Sequence, residues 1–362
     1  DFLKKKPAID FYIELEGELG FVDLVKALSE NNFNVKQLKK HGKKIINTCY
    51  IHEDKLITGS IERIKDINII PSPYLTGALD HSFQLPLIPM IETTRGCPFT
   101  CTFCADGLGI KSKINRYESQ RTREELQLIA KNINKVDELI VTDLNFGMYK
   151  QDMETAKEIA NIQKNYNYPI SVDAPAGKNM PKRIINIASI MKGWSMGGVI
   201  QSSDPDVLKA IKRSNISISA YQDLIDFGNK QKANRTYTEI ILGLPSDTKE
   251  RHFESLRLGV EKSVNNLRMH QAMLLTGTEM ASKRDREKYG LVTKFRTLPG
   301  NVGNYNILNE EHPVAEIEEI VVGSNTLSMN DYVECRIMNL IIKTFYNNNI
   351  FNEIHSMQRA MG

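Results

Sequence analysis

The sequence predicts an α/β fold, a partial, TIM-like barrel of six strand–helix units flanked by smaller N- and C-terminal pieces. Two observations predict it. From Leu87 to Leu274, short apolar runs alternate with segments whose apolar residues recur at helical spacing. Such alternation means a parallel sheet with right-handed crossovers. The repeat also stops at six strands, short of the eight units and about 250 residues of a full barrel.

The first strand is Leu87-Ile88-Pro89-Met90-Ile91-Glu92. Thr122-Arg123-Glu124-Glu125 reads as a capping box for a helix that buries Leu126, Ile129 and Ile133. Residues 136–143 form the second strand, and a helix through Met153, Ala156, Ile159 and Ala160 follows. Residues 169–174 are the third strand. Asn179 then caps a helix carrying Ile184, Ile187, Ala188 and Met191, which Gly193 ends. The fourth strand is 198–202, and Asp204-Pro205 is an N-cap followed by proline at the first helical position. Ser219 opens a further helix. The fifth strand is 237–243, Asp247 with Glu250 caps the next helix, and 267–274 is the sixth strand.

On this reading residues 86–295 are the barrel. Residues 1–30 hold a strand around Ile9–Leu15 and a helix around Phe21–Leu28. Residues 31–85 are a connector with a small hairpin around His52-Glu53-Asp54 and a proline-punctuated stretch at 68–77. Residues 296–362 are a C-terminal α+β cap: a polar loop, an acidic strand-like run at 315–322 and a helix from Asp331 to Tyr346.

Bulk properties narrow the function classes. The 362 residues are 41% hydrophobic and 25% charged with a net charge of +3, so no strong pull toward nucleic acid or membrane follows. No apolar run is long enough for a membrane span, and the first residues lack the apolar core of a signal peptide. Clustered cysteines suit a reducing cytoplasm. The lysines from Lys36 to Lys44 read as a solvated face.

The chemistry concentrates in one loop. Cys97, Cys101 and Cys104, three of five cysteines, fall within eight residues. Disulfides between such close neighbours would be strained. Zinc wants a fourth protein ligand, and the nearest candidate, His81, lies on the wrong side of the first strand. An ordinary electron-transfer cluster also wants four cysteines. Three thiolates on a four-iron cluster leave one iron open. The loop follows the first strand, at the carboxyl end where the loops of a parallel barrel converge.

Cys97-x3-Cys101-x2-Cys104, with Phe103 before the last cysteine, resembles the signature of the radical S-adenosylmethionine (SAM) superfamily. The resemblance covers about residues 86–295. It implies a [4Fe–4S] cluster on these three cysteines, with SAM chelating the open iron and cleaved reductively to start radical chemistry. It also implies cofactor-binding roles. Phe103 would touch adenine. Thr142, Asp143 and Asn145 stand where the superfamily binds the SAM amino group, often with Gly-Gly-Glu; the segment here reads Thr142-Asp143-Leu144-Asn145-Phe146-Gly147, and Asp143 serves equally as a loop cap. Gln201 and Ser202 would reach ribose or the methionyl carboxylate. Arg213 would pair with that carboxylate through its guanidinium fork, or meet a helix dipole. Leu242 and Gly243 belong to a run that packs on adenine, or is simply a buried strand. No side chain is singled out as catalytic. Cys49 and Cys335 read as structural, and His270 as a satisfied core residue.

The strand–acidic-glycine-turn–helix unit at 9–28 and Pro71-Ser72-Pro73-Tyr74 are similar to the cobalamin-associated branch. The unit would be the end of a Rossmann-like cobalamin-binding domain whose earlier part, with its Asp-x-His-x-x-Gly motif, is expected to be truncated. A generic α/β fragment is the alternative. The branch implies cobalamin, methylation of an unactivated carbon or a rearrangement, and a small-molecule or natural-product-like substrate. An electron donor such as flavodoxin or ferredoxin is implied too. A tRNA methylthiotransferase would need three more upstream cysteines, and only Cys49 lies upstream. A non-catalytic iron–sulfur electron carrier would need neither the barrel nor an open iron.

Overall fold

The computed structural model describes residues 2–230, 236–347 and 350–361. Contacts divide the chain at Pro71/Ser72 into two units.

The first unit holds β1 (Tyr12–Ile13), α1 (Gly17–Ser29), α2 (Val35–Lys40), β2 (Thr48–His52) and β3 (Lys55–Thr58). Its sheet is antiparallel in the order β1-β2-β3. The expected hairpin forms, with Glu53 and Asp54 both at positive φ as a tight turn between twisted strands requires. Leu24, Ala27, Leu38 and Ile45 make the core. The boundaries expected at 30 and 85 do not divide the fold. Tyr12 and Ile13 pair with Cys49 and Thr48 across the boundary expected at 30, and Arg63 pairs with Glu16 at 2.8 Å. Residues 31–71 are therefore folded onto 1–30 rather than connecting it onward. The antiparallel pairing also differs from the parallel neighbours that a Rossmann-like remnant calls for.

The second unit opens with β4 (Met90–Ile91), β5 (Thr94–Arg95), β6 (Asn115–Arg116), α3 (Ser119–Asn132), β7 (Glu138–Val141), α4 (Asp152–Tyr166), β8 (Ser171–Asp173) and α5 (Pro181–Ile190). It continues with α6 (Pro205–Ala210), α7 (Ile218–Lys230), β9 (Tyr237–Leu242), α8 (Lys249–Glu261), β10 (Asn266–Gln271) and α9 (Lys283–Tyr289). Strands β4, β7 and β8 pair in parallel, as do β9 and β10. Between them the expected fourth strand is reduced to single parallel bridges, Val172 with Trp194, Gly197 with Tyr237, and Gln201 with Ile240. Gly197 explains part of this. A Cβ there would sit 2.3 Å from the Tyr237 ring, so backbone and ring touch directly. Gln201 then leaves strand geometry at φ 62°.

Phe146, Trp194 and the apolar stripes of α3, α4 and α5 fill the core beneath β4, β7 and β8. The Phe146 and Trp194 rings meet edge to face at 5.4 Å, and the indole N–H donates to Ala174 O at 2.9 Å. Helix starts follow capping chemistry, sometimes one position from expectation. Asp204 caps α6 as expected, accepting from the N–H groups of Asp206 and Val207. Thr248 rather than Asp247 caps α8. The Ser217 hydroxyl, not Ser219, accepts from Ala220 N. Helix α3 begins at Ser119, one turn before the expected capping box.

The largest departure lies beyond residue 291. The expected polar loop is a strand, β11 (Val292–Ile307), that pairs antiparallel with β12 (Glu310–Gly323) around Leu308-Asn309, both at positive φ. Only its inner end is buried, through Ile320, Val321 and Val322. Met273 bridges to Ile320, so β12 extends the series beyond β10. Helices α10 (Met329–Ile341) and α11 (Asn352–Met361) close the sequence. No described helix is long and apolar enough to cross a membrane.

Candidate functional site

The cysteine loop is pinned at every turn. Cys97 N donates to Lys111 O at 3.1 Å, Thr102 N to Ile211 O at 3.1 Å, and Met280 N to Thr102 O at 2.9 Å. Upstream, Asp143 accepts from Thr93 N at 2.7 Å, from Thr94 N at 3.0 Å and from the Thr93 hydroxyl. Burial pushes its carboxyl above the ordinary aspartate value, against the pull of those donors. Within the loop, Cys104 N donates to Cys101 O at 3.2 Å and Gly107 N to Cys104 O at 3.0 Å. A Cβ on Gly107 would lie 2.2 Å from Cys101 O, so only glycine permits this approach.

All three thiols are free, those of Cys97 and Cys101 buried and that of Cys104 half-buried. Asn145 Nδ2 lies 3.4 Å from Cys97 Sγ. Lys178 Nζ lies 3.7 Å from Cys101 Sγ and sits over the Phe99 ring at 4.9 Å. Arg213 is buried beside Cys101; burial pulls its guanidinium below the usual value, and the sulfur opposes that. Arg213 donates to Val199 O and, through Nε, to Asn215 Oδ1 at 3.1 Å.

Several buried polar atoms around this loop have no partner: Asn145 Oδ1, Gln201 Oε1, Arg213 Nη1, Tyr149 OH and Thr102 Oγ1. Buried polar groups are normally satisfied, so such a concentration marks a place for a ligand. Beside it opens a cavity of about 590 Å³, lined by Phe103, Cys104, Gln201, Ile241, His270 and the base of the hairpin at Arg296 and Glu318. That volume is within the ordinary range for small-molecule sites.

Among the described residues, no group of three His, Cys, Asp or Glu side chains is gathered closely enough to hold one metal ion. The loop's three free thiols would supply one thiolate apiece to three irons of a four-iron cluster.

Residues 91–258 match the radical SAM superfamily. The chain carries a radical SAM domain. Two curated relatives share 27% identity with this chain over 92% of its length. One is 2-(S-pantetheinyl)-carbapenam-3-carboxylate methyltransferase of Streptantibioticus cattleyicolor. The other is the cobalamin-dependent radical SAM methyltransferase TokK of Streptomyces tokunonensis. The alignment takes in 49% of each, so the chain spans about half the length of the curated relatives it matches. Among solved structures, the radical SAM methyltransferase TsrM of Kitasatospora setae, with tryptophan and a SAM analogue bound, superposes with a TM-score of 0.56 at 13% identity. It covers 84% of this chain and 58% of its own, a likeness of fold. The core of the second unit is thus TIM-barrel-like.

The candidate site collects some of the sequence-predicted residues and not others. Phe103 and Gln201 line the cavity, and Asn145 and Arg213 stand at the sulfurs. Asp143 is spent on the Thr93–Thr94 backbone. Thr142 is exposed and donates to Ile91 O at 3.1 Å. Ser202 is buried in the turn into α6, where its hydroxyl accepts from Asp204 N at 3.2 Å. Leu242 packs on Ile320, Tyr332 and Cys335, away from the cavity, and Gly243 N donates to Asp247 at 3.2 Å. The alternating neighbour Ile241 is the one that faces the cavity. His270 is exposed on the cavity wall rather than satisfied in the core. Lys178, Gly107, Arg296 and Glu318 carried no signal in the sequence, because each matters only through a contact with a distant segment.

Proposed function

We propose that the second unit is a partial (β/α)6 barrel forming the radical-generating core of a cobalamin-dependent methyltransferase that acts on a small-molecule, natural-product-like substrate. One observation carries the reading. Three free thiols, with no fourth ligand gathered to them among the described residues, lie beside unpaired Arg213, Asn145 and Gln201 atoms and a ligand-sized cavity. Cys97, Cys101 and Cys104 would hold a [4Fe–4S] cluster, which when bound supplies one electron for splitting a carbon–sulfur bond of SAM. The chain's own residues do the rest. Arg213 offers a buried cation to a carboxylate, Asn145 and Gln201 offer amide groups, and Phe103 and Ile241 form an apolar wall. The hairpin base narrows the cavity and limits water. Names of the relatives alone support the cobalamin part, with methylation as the outcome.

Single Cys97→Ala, Cys101→Ala and Cys104→Ala variants test the reading. Each should lose its iron, its visible colour and all formation of 5′-deoxyadenosine or S-adenosylhomocysteine after anaerobic reconstitution with SAM and dithionite. Turnover surviving in any of them would sink the proposal. A wild-type protein that takes up a cluster yet never consumes SAM would instead be an electron carrier.

A further inference from the structure

A second cavity, of about 660 Å³, opens between the starts of α4 and α5. Lys150, Lys182 and Arg183 line it with Met153, Met180 and Asn186, and no carboxylate lies among its lining residues. Among the described residues, neither lysine forms an ion pair, and Arg183 spends one nitrogen on Met148 O. Unpaired like charges in one cleft repel each other, which folding alone does not reward.

The place of this cleft gives the cluster of cations a use. Two segments connect it to the cysteine sulfurs. Asn145, at Cys97 Sγ, is five residues from Lys150, and Lys178, at Cys101 Sγ, is two residues from Met180. Two residues of chain span at most about 7 Å. The segments are joined to each other, since Gly177 N donates to Phe146 O at 2.8 Å and Phe146 bridges to Ala176. Short lengths of chain on two joined segments thus link the cationic face to the proposed cluster site. The SAM-side cavity draws on other elements, β9, β10 and the hairpin. A carrier could therefore dock while substrate is bound.

We propose that this cleft is the docking face for an acidic one-electron carrier protein, the partner that reduces the cluster. The proposal rests on the cluster reading above. Charge complementarity would steer the encounter and make it salt-dependent. The single electron passes from the reduced carrier, which is oxidised by one electron, to the cluster, which is reduced by one; no bond is made or broken in that step.

The test uses the reconstituted chain, an acidic flavodoxin hydroquinone as probe, and photoreduced deazariboflavin as an uncharged control donor. Lys150→Glu/Lys182→Glu should slow cluster reduction by flavodoxin at low salt roughly tenfold or more, with iron content and reduction by deazariboflavin unchanged. In the wild type the flavodoxin rate should fall as salt rises, and the variant should flatten that dependence. Equal flavodoxin rates and equal salt dependence in both proteins would overturn the proposal. So would a stoichiometric pyrophosphate site abolished by the double variant with flavodoxin kinetics untouched, which would make the cleft a small-anion site. If the wild type takes up no cluster, the deazariboflavin control fails as well, and the fault lies with the cluster reading.

Discussion

Replacing Gly107 by alanine probes how tightly the backbone shapes the cysteine loop. The added Cβ would sit 2.2 Å from Cys101 O and 3.1 Å from Cys101 C and N. Real Cβ contacts essentially never fall below 3.0 Å, so the carbonyl must retreat by at least 3.0 − 2.2 = 0.8 Å. That carbonyl accepts from Cys104 N, so its retreat disturbs both cysteines. Functional constellations tolerate only about 0.5 Å, and overpacking typically costs about 1–3 kcal/mol. Gly107→Ala should therefore fold, melt a few degrees lower, and lose most of its iron on anaerobic reconstitution. Gly109→Ala, in the same loop, is the control, because a Cβ there meets nothing within 4 Å. Iron and sulfide content with the spectrum of the reduced cluster are the assays. Full iron loading in Gly107→Ala, or equal loss in Gly109→Ala, would refute the reasoning.

Arg213→Ala should weaken SAM binding to the reconstituted protein roughly ten- to hundredfold, the usual worth of a charge-assisted contact. Titration calorimetry measures this, and unchanged affinity would remove Arg213 from the site. Lys178→Met deletes the cation 3.7 Å from Cys101 Sγ and should move the cluster midpoint to a more negative potential, read by redox titration followed by electron paramagnetic resonance. Burial pushes Asp247 up to about 7 and Asp152 up to about 6. A carboxyl that holds its proton more tightly when folded gives its stabilisation in full below its unfolded value of about 3.9 and loses it as pH rises through the folded one. The melting temperature should accordingly carry a falling contribution between about pH 4 and pH 7, smaller in Asp247→Asn; a parallel slope in that variant would exclude Asp247 as the cause.

The barrel order was legible because its helices bury regular stripes, such as Leu126 and Ile129 in α3 or Val207 and Ile211 near α6. The cysteine trio stood out because its three thiols are close in sequence. The β11–β12 hairpin did not. Its outer half is exposed on both faces, as Val302, Tyr305 and Ile317 show, so the inside–outside alternation that marks a strand is missing. The fourth strand misled in the opposite sense, because its apolar residues promise a ladder that Gly197 and the φ of Gln201 cut short. Leu242 and Ile241 were exchanged for a related reason. Both are apolar, and only the hairpin and α10, packed on one face of β9, decide which of them looks into the cavity.

The register of the hairpin slips between Thr297 and Val302, and the unpaired stretch brings Leu298 and Pro299 to the cavity. The three clustered thiols lie far upstream in the sequence, on a loop held by Lys111, Ile211 and Met280. On the proposed reading, radical initiation and the choice of what is attacked would lie on separate stretches of polypeptide. Lengthening, shortening or re-bulging the ribbon could retune selectivity while leaving the ignition chemistry intact, which makes residues 296–301 and 316–318 the natural place to diversify in a library.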